Sequence, residues 1–310
     1  MKLKYYSILL ALIALGSCSK EIEIDKGIED FKVKTTSLTY KVNDDVNFEF
    51  EGNANLVTFF SGETFNQYDF KEGRIVETNG LDLGFTSANP VLTGGQSNQL
   101  SVMASTDFNG DYNSFSSVQQ ATWTDISSRF VYGTSATFVA SGTKSIADLI
   151  AAGKPLYIAY KYITRPQLIS GPARSWLVQG FSITSNTSVG TLTLTDMNNA
   201  GFRIVDQNAE TAPAKSSVSI SRVTLNGNEF TLENDPQTEN WAISKPIYTG
   251  LIDNGPDRPV SIKGTADAPL KKYTYNYSKK GVYQVYFIAT NVNVYQKEDV
   301  VRKLEITITD

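Results

Sequence analysis

From residue 30 onward, apolar and polar residues alternate in short stretches separated by turn-forming residues. Val46-Asn47-Phe48-Glu49-Phe50 puts three apolar side chains on one face of an extended segment, Leu56 to Phe60 is a compact apolar run, and Gln284 to Thr290 is another. A period of two marks a half-buried strand. Ser217 to Leu225 and Glu229 to Leu232 flank Asn226-Gly227-Asn228, residue types that accept the positive φ angles of a tight hairpin. A single short helix is predicted, capped by Ser145, running from Ile146 to Ala152 and stopped by Gly153. No repeat of solenoid length is visible. Many short strands with closely spaced turns predict stacked antiparallel sheets, an all-β fold.

The start of the chain follows another pattern. Lys2 and Lys4 precede an apolar run, Ile8 to Leu15, that is too short to span a bilayer and stops at Leu15-Gly16-Ser17-Cys18. Gly16 and Ser17 are small enough for a peptidase groove, and the Cys18 thiol is a nucleophile able to take a diacylglycerol; it is the only cysteine. The pattern resembles the lipobox of bacterial lipoproteins. That resemblance implies a signal peptide over 1–17, lipidation at Cys18 and a tether over 18–29. Ser19-Lys20-Glu21-Ile22-Glu23, with no Asp after the cysteine, is similar to Bacteroidetes lipoproteins sent to the outer membrane. The expected location is therefore the outer membrane, facing the cell exterior, with the membrane itself a partner through the lipid.

With Cys18 lipidated no disulfide remains, so stability has to come from a buried core, which a chain of 310 residues can supply as two domains. Loss of Lys2 and Lys4 leaves 26 basic against 32 acidic residues, a net charge of −6. A mildly acidic protein with no basic run is not expected to bind nucleic acid. The chain has no histidine. This excludes Ser-His-Asp and Cys-His triads, His-ligated zinc and HExxH peptidases, and leaves carboxylates, lysine or tyrosine for any hydrolytic chemistry.

The two ends of the mature chain read as parts of one sandwich. Tyr277-Ser-Lys-Lys-Gly281-Val-Tyr283-Gln-Val285, followed by a last strand from Arg302 to Ile308, resembles the penultimate strand of the polycystic-kidney-disease (PKD) repeat, an immunoglobulin-like domain. Its missing first half is found between Phe31 and Phe60, where Tyr40, Val46, Phe48, Phe50, Val57 and Phe59 stand at strand-like spacings. The expected arrangement is a split Ig/PKD-like β-sandwich over 30–75 plus 269–310, interrupted by an inserted domain over 76–268. Independent sandwiches in series are the competing arrangement.

Within the inserted stretch, Leu100 to Asp111, Ala121-Thr-Trp123-Thr-Asp125-Ile126, Lys154 to Tyr162 and Ser175-Trp176-Leu-Val stand in an order that resembles the jelly-roll β-sandwich of cleaved-adhesin-type modules in Bacteroidetes surface proteins. Those modules close with a Trp strand carrying an Asp; here the stretch reads Trp176-Leu-Val-Gln179-Gly180. With Thr58-Phe-Phe-Ser61-Gly62-Glu63 and Trp241-Ala-Ile-Ser-Lys245-Pro246, the mature chain is similar to a Bacteroidetes surface-lipoprotein family, domain of unknown function 5017, which implies no particular chemistry.

Candidate chemistry is sparse. Asp107, Asn109, Asp111 and Asn113 form an alternating oxygen-ligand series of the kind that wraps a structural Ca²⁺, although position twelve is Val118 rather than a bidentate Glu, and Asx residues also build turns. Trp176 and Trp241, each followed by alternating apolar residues, read as core, whereas Trp123 between two threonines is the candidate to stack on a sugar ring. Tyr273, Tyr275 and Tyr277 point one way along a strand; with Tyr277 closing a strand corner, Tyr273 and Tyr275 remain as an aromatic face for ligand. Asp44-Asp45 and Ser61-Gly62-Glu63 read as turns, and Thr93-Gly94-Gly95 lacks the lysine and helix of a phosphate loop. The leading expectation is a non-catalytic module that binds polysaccharide beside an outer-membrane transporter. A structural or adhesive protein-interaction module is the alternative, and a carboxylate-dependent glycoside hydrolase comes third. A continuous concave aromatic groove favours the first, a flat apolar patch the second, and paired buried acids facing a cleft the third.

Overall fold

The computed structural model describes residues 28–90, 95–228 and 236–310. The signal segment, Cys18, most of the tether, the Glu229–Leu232 strand, Thr93 and Gly94 lie outside the described residues. The fold is all-β, and among the described residues no helix is long and apolar enough to cross a membrane. The described chain divides into two compact units, one made of residues Ile28–Arg74 and Gly255–Asp310, the other of residues between Ile75 and Asn254.

In the first unit the chain forms β1 (Lys32–Thr35), β2 (Thr39–Lys41), β3 (Val46–Glu51) and β4 (Leu56–Phe60). After the second unit, whose strands are numbered β5 to β18 below, it resumes with β19 (Val260–Lys263), β20 (Lys272–Tyr275), β21 (Gly281–Val292) and β22 (Lys297–Thr309). A three-stranded sheet, β1-β3-β20, faces a five-stranded one, β19-β4-β21-β22-β2. Alternation in β3 buries Val46, Phe48 and Phe50, which meet Val57 and Phe59 of β4 and Val285, Phe287 and Ala289 of β21 in one core. The Phe48 and Phe287 rings lie 4.9 Å apart although 238 residues separate them in sequence. Tyr277 is fully buried and donates its hydroxyl to the Ser61 carbonyl at 2.9 Å, closing the corner before β21. The boundary expected at residue 268 falls earlier: β19 pairs with β4, and Asp257 is buried against Arg74, so 255–268 belong to this unit.

The second unit begins with β5 (Ile75–Glu77), β6 (Asn79–Ala88), β7 (Leu100–Ser105), α1 (Phe115–Gln120), β8 (Thr124–Asp125), β9 (Val139–Ala140) and β10 (Lys144–Ser145). It continues with β11 (Tyr157–Thr164), α2 (Gln167–Ser170), β12 (Trp176–Thr187), β13 (Gly190–Asp196), β14 (Arg203–Asp206), β15 (Ser217–Ser219), β16 (Arg222–Leu225), β17 (Thr238–Ile243) and β18 (Leu251–Asp253). One sheet runs β10-β6-β12-β16-β15, with β13 also on β12 and β9 on β6; the other runs β14-β17-β11-β7-β8. Leu81, Leu83 and Phe85 of β6 and Val178, Phe181 and Ile183 of β12 pack against Val102 of β7 and Ile158, Tyr160 and Tyr162 of β11. The outer face of the second sheet carries its own apolar layer, because the stretch from Phe108 to Trp123 folds back over Met103, Tyr157, Ala159, Trp241 and Ile243.

Two local expectations fail for physical reasons. The helix over 146–152 reduces to a single 3-10 turn at Ala147–Leu149, since Ile146 is fully buried with its N–H on the Leu81 carbonyl, while Arg129 holds Asp148. Ser217 to Leu225 is not one strand but the β15–β16 hairpin, and Asn226-Gly227 is no positive-φ turn. A Cβ at Gly227 would lie 2.6 Å from the Ala173 Cβ, so close approach rather than turn geometry requires the glycine.

Candidate functional site

Strand alternation around β8 separates two kinds of surface. Trp123 turns toward the apolar layer on the outer sheet face, whereas its neighbours Thr122 and Thr124 turn into a cavity of about 390 Å³. The cavity has an apolar floor of Ala104, Leu149, Ile150 and Leu156 and a polar wall of Ser105, Thr106, Asp107, Thr122, Thr124 and Asp148. Two elements hold this wall. The Ser105 hydroxyl donates to Asp107 Oδ1 at 2.8 Å, and the same oxygen accepts the Thr122 N–H at 2.8 Å, fixing the end of β7 to the start of β8. On the other side Arg129 grips both oxygens of Asp148 at 2.7 Å, which sets the 147–151 segment.

Both carboxylates are held in the ionised form. Burial raises Asp107, but the hydrogen bonds from Ser105 and Thr122 outweigh it and bring the carboxyl below its ordinary value. The Arg129 hydrogen bond lowers Asp148 most; desolvation opposes it, and the Arg129 charge adds a smaller lowering. The site can accept hydrogen bonds from hydroxyl groups through these two carboxylates and the threonine oxygens, and can seat an apolar ring face on its floor.

The residues singled out from sequence are placed differently from expectation. Trp123 is not a free stacking platform: it is half-buried, its ring lies 5.1 Å from Trp241 and 5.8 Å from Phe108, and its Nε1 donates to the Val118 carbonyl at 2.9 Å. Trp241 is buried, but in the outer layer rather than between the sheets, with Lys161 Nζ 5.1 Å over its ring and paired to Glu239 at 2.7 Å. Trp176 is only half-buried, at the edge of the central core against Tyr132.

In the series Asp107, Asn109, Asp111 and Asn113, side-chain oxygens are engaged by hydrogen bonds from the chain itself. Asn109 Oδ1 accepts the Asp111 N–H and Asp111 Oδ1 accepts the Asn113 N–H, successive Asx turns, while Asp111 Oδ2 accepts the Ser117 hydroxyl. Among the described residues no cluster of three or more acidic, cysteine or histidine side chains fits a metal ion.

Tyr273 and Tyr275 share the inward face of β20 with the corner Tyr277 and pack on Phe59 at 5.1 Å each, because residues two apart on a strand face the same side. They are core-lining and not an exposed face. The Tyr275 hydroxyl donates to Glu63, and burial followed by that carboxylate pushes it up to about 12. Glu63 thus anchors a strand end beside another cavity, of about 380 Å³, lined by Thr64, Gln67, Lys279 and Tyr283.

Sequence reasoning missed Thr122, Thr124 and Asp148. The alternation about Trp123 was a usable signal for the threonines; nothing local distinguishes Asp148 from any other surface acid. No curated protein and no solved structure gives a match to the chain. Residues 17–202, more than half of the chain, match the family described as Domain of unknown function (DUF5017), and the chain belongs to that family.

Proposed function

We propose that the mature chain is a lipid-anchored protein of the bacterial outer-membrane surface that binds a glycan in the cavity beside β8 and does not cleave it. The observation that carries this reading is the pairing of an apolar floor with a wall of hydroxyl and carboxylate acceptors. A pyranose presents the complementary surface, with apolar C–H faces and hydroxyl donors around the rim. Glycoside hydrolysis would need one carboxyl to hold a proton near neutral pH. Asp107 and Asp148 are both shifted the other way, so each is a fixed acceptor. The cysteine at position 18 and the apolar run before it support attachment through lipid. Many copies held on one surface gain avidity for a polymer, so single sites of roughly micromolar to millimolar strength suffice for nutrient capture beside a transporter.

Calorimetry against a broad polysaccharide panel tests this. Thr122→Val with Thr124→Val, both exposed in the wall, should weaken binding at least ~tenfold while the fold stands. Absence of heat across the panel overturns the glycan reading and moves a protein partner ahead, with the exposed Leu168 and Ile169 of α2 the first surface to probe. Release of new reducing ends overturns the non-catalytic part.

A further inference from the structure

The β21–β22 hairpin ends in an apolar tip. Val294 is 90 % exposed and Tyr295 72 %, beside a part-exposed Val292. The turn beneath them is tightly made: Asn293 N–H donates to the Gln296 carbonyl at 3.0 Å, and Asn293 Oδ1 accepts the N–H groups of both Tyr295 and Gln296 at 2.8 Å. The amides of Asn293, Tyr295 and Gln296 are therefore already paired, which lowers the penalty for carrying a backbone turn into a less aqueous medium. An ordered turn that displays a valine and a tyrosine to solvent has no role within its own unit.

The position of the tip identifies its partner. The described chain begins at Ile28, and Arg302 of β22 donates to the carbonyls of Glu29 and Phe31 at 2.8 and 2.7 Å. At the same end of the unit the Asn55 N–H bonds Asn291 Oδ1, and Gly52 lies against Asp30 and Phe31. The chain thus enters this unit at the end where the hairpin tip protrudes. Arg74 and Gly255, where the chain leaves for the second unit and returns, follow β4 and precede β19 at the opposite end, near Ser61 and Asp257.

From Cys18 to Ile28 there are ten residue steps, at most ~36 Å of chain. Tyr295 is seven residue steps from Arg302, at most about 23 Å at ~3.3 Å each. An acyl group on Cys18 can therefore lie in the same plane that the tip touches. Acidic and basic side chains are mixed around the tip, with Glu29, Asp30, Glu298 and Asp299 against Lys32, Lys297 and Arg302, and Lys297 is paired with Asp299 at 2.6 Å. Contact with a membrane must then be apolar rather than electrostatic.

We infer that the hairpin tip is a membrane-interface contact: Val294 and Tyr295 enter the headgroup region of the bilayer to which Cys18 is attached, and fix the orientation of the first unit on it. Tyrosine suits this depth because its ring is apolar and its hydroxyl stays wet. A lipid anchor alone leaves the protein free to swivel, and a second contact at the same end removes that freedom. The inference rests on the reading of Cys18 as the anchor, so the test supplies the tether chemically.

The chain from Cys18 to Asp310 is coupled through Cys18, its only cysteine, to maleimide-bearing lipid in phosphatidylcholine vesicles, and hydrogen exchange is followed by mass spectrometry. Exchange over 293–297 should slow at least ~tenfold on vesicles, equally at low and high salt, and Val294→Asp with Tyr295→Ser should abolish the slowing. Both side chains are exposed, so that variant should keep the parent's urea midpoint. Equal exchange on and off vesicles, or slowing that survives in the variant, overturns the inference. Slowing without vesicles that grows with protein concentration also overturns it, in favour of a second copy of the chain. Acylation in cells is read separately from the mass of the native protein, so failure of the anchor and failure of the tip are distinguishable.

Discussion

Asp257→Asn should destabilise the first unit by about 3 to 5 kcal/mol, because it leaves the Arg74 guanidinium buried without its counter-charge. The side chains of Arg74 and Asp257 are 3 % and 1 % exposed. Arg74 Nε donates to Oδ1 at 2.8 Å and Nη2 to Oδ2 at 2.6 Å, the Gln67 N–H gives Oδ2 another bond at 2.8 Å, and Gln67 Oε1 takes the remaining Nη2 proton at 2.6 Å. Phe70 covers the guanidinium at 3.7 Å. Such a pair is near break-even against apolar residues of the same volume, so Arg74→Met with Asp257→Leu should fall within about 2 kcal/mol of the parent. The asymmetry between the single and the double variant is the signature. Burial alone would raise Asp257, but the Arg74 hydrogen bond, the Gln67 N–H and the Arg74 charge together bring it below its ordinary value. A carboxyl lowered in the folded state contributes stability above its unfolded pKa of about 3.9, and that stability is lost as pH falls through the lower folded value. Below about pH 4 the parent should therefore weaken more steeply than Asp257→Asn. Urea unfolding of the mature chain, following the transition of the first unit, measures each quantity. A cost under about 1 kcal/mol for Asp257→Asn, or parallel acid limbs, would refute the argument.

Phe287→Ala removes a fully buried ring in contact with Phe48, Phe50 and Phe59, and should cost about 3 to 5 kcal/mol in the same assay; a neutral result would mean that the two chain ends do not share a core. Replacing 75–254 by two glycines should leave the first unit folded, since the Arg74 N–H already meets the Gly255 carbonyl at 2.8 Å; loss of cooperative unfolding would contradict this. Millimolar calcium should not move the melting temperature, because one oxygen each of Asp107, Asn109 and Asp111 already accepts a backbone N–H; a rise abolished by Asp107→Ala with Asp111→Ala would restore the ion. Trp123→Ala should destabilise the second unit by about 2 kcal/mol by uncovering Trp241 and Phe108, and an unchanged melting curve would return it to the role of a free platform.

What the sequence could convey depended on whether a pattern had one physical cause or two. The β3 alternation has one: Val46, Phe48 and Phe50 face the core while Glu49 and Glu51 are exposed, so the strand and its inward face follow from the residues. The corner Tyr277 is similar, since a buried phenol must find an acceptor and Ser61 is within reach. The second sheet of the second unit breaks that logic because both its faces are covered. Trp241 and Tyr157 are followed by Ala242 and Ile158 on strands that are largely buried, and the layer hiding Trp241 is a non-local stretch, Phe108 to Trp123. A tryptophan flanked by threonines then reads as exposed when the threonines are the open side and the indole is the covered one. Tyr273 and Tyr275 mislead in the same way, because their rings pack on Phe59 at the core edge although their hydroxyls make them look suited to a surface, and the Tyr275 hydroxyl is taken by Glu63. The carboxylates of the cavity were harder still. Asp107 and Asp148 are brought to one wall only by the pairing of β7 with β8 and by the salt bridge from Arg129, so their common site exists in the packing and in no local stretch of sequence.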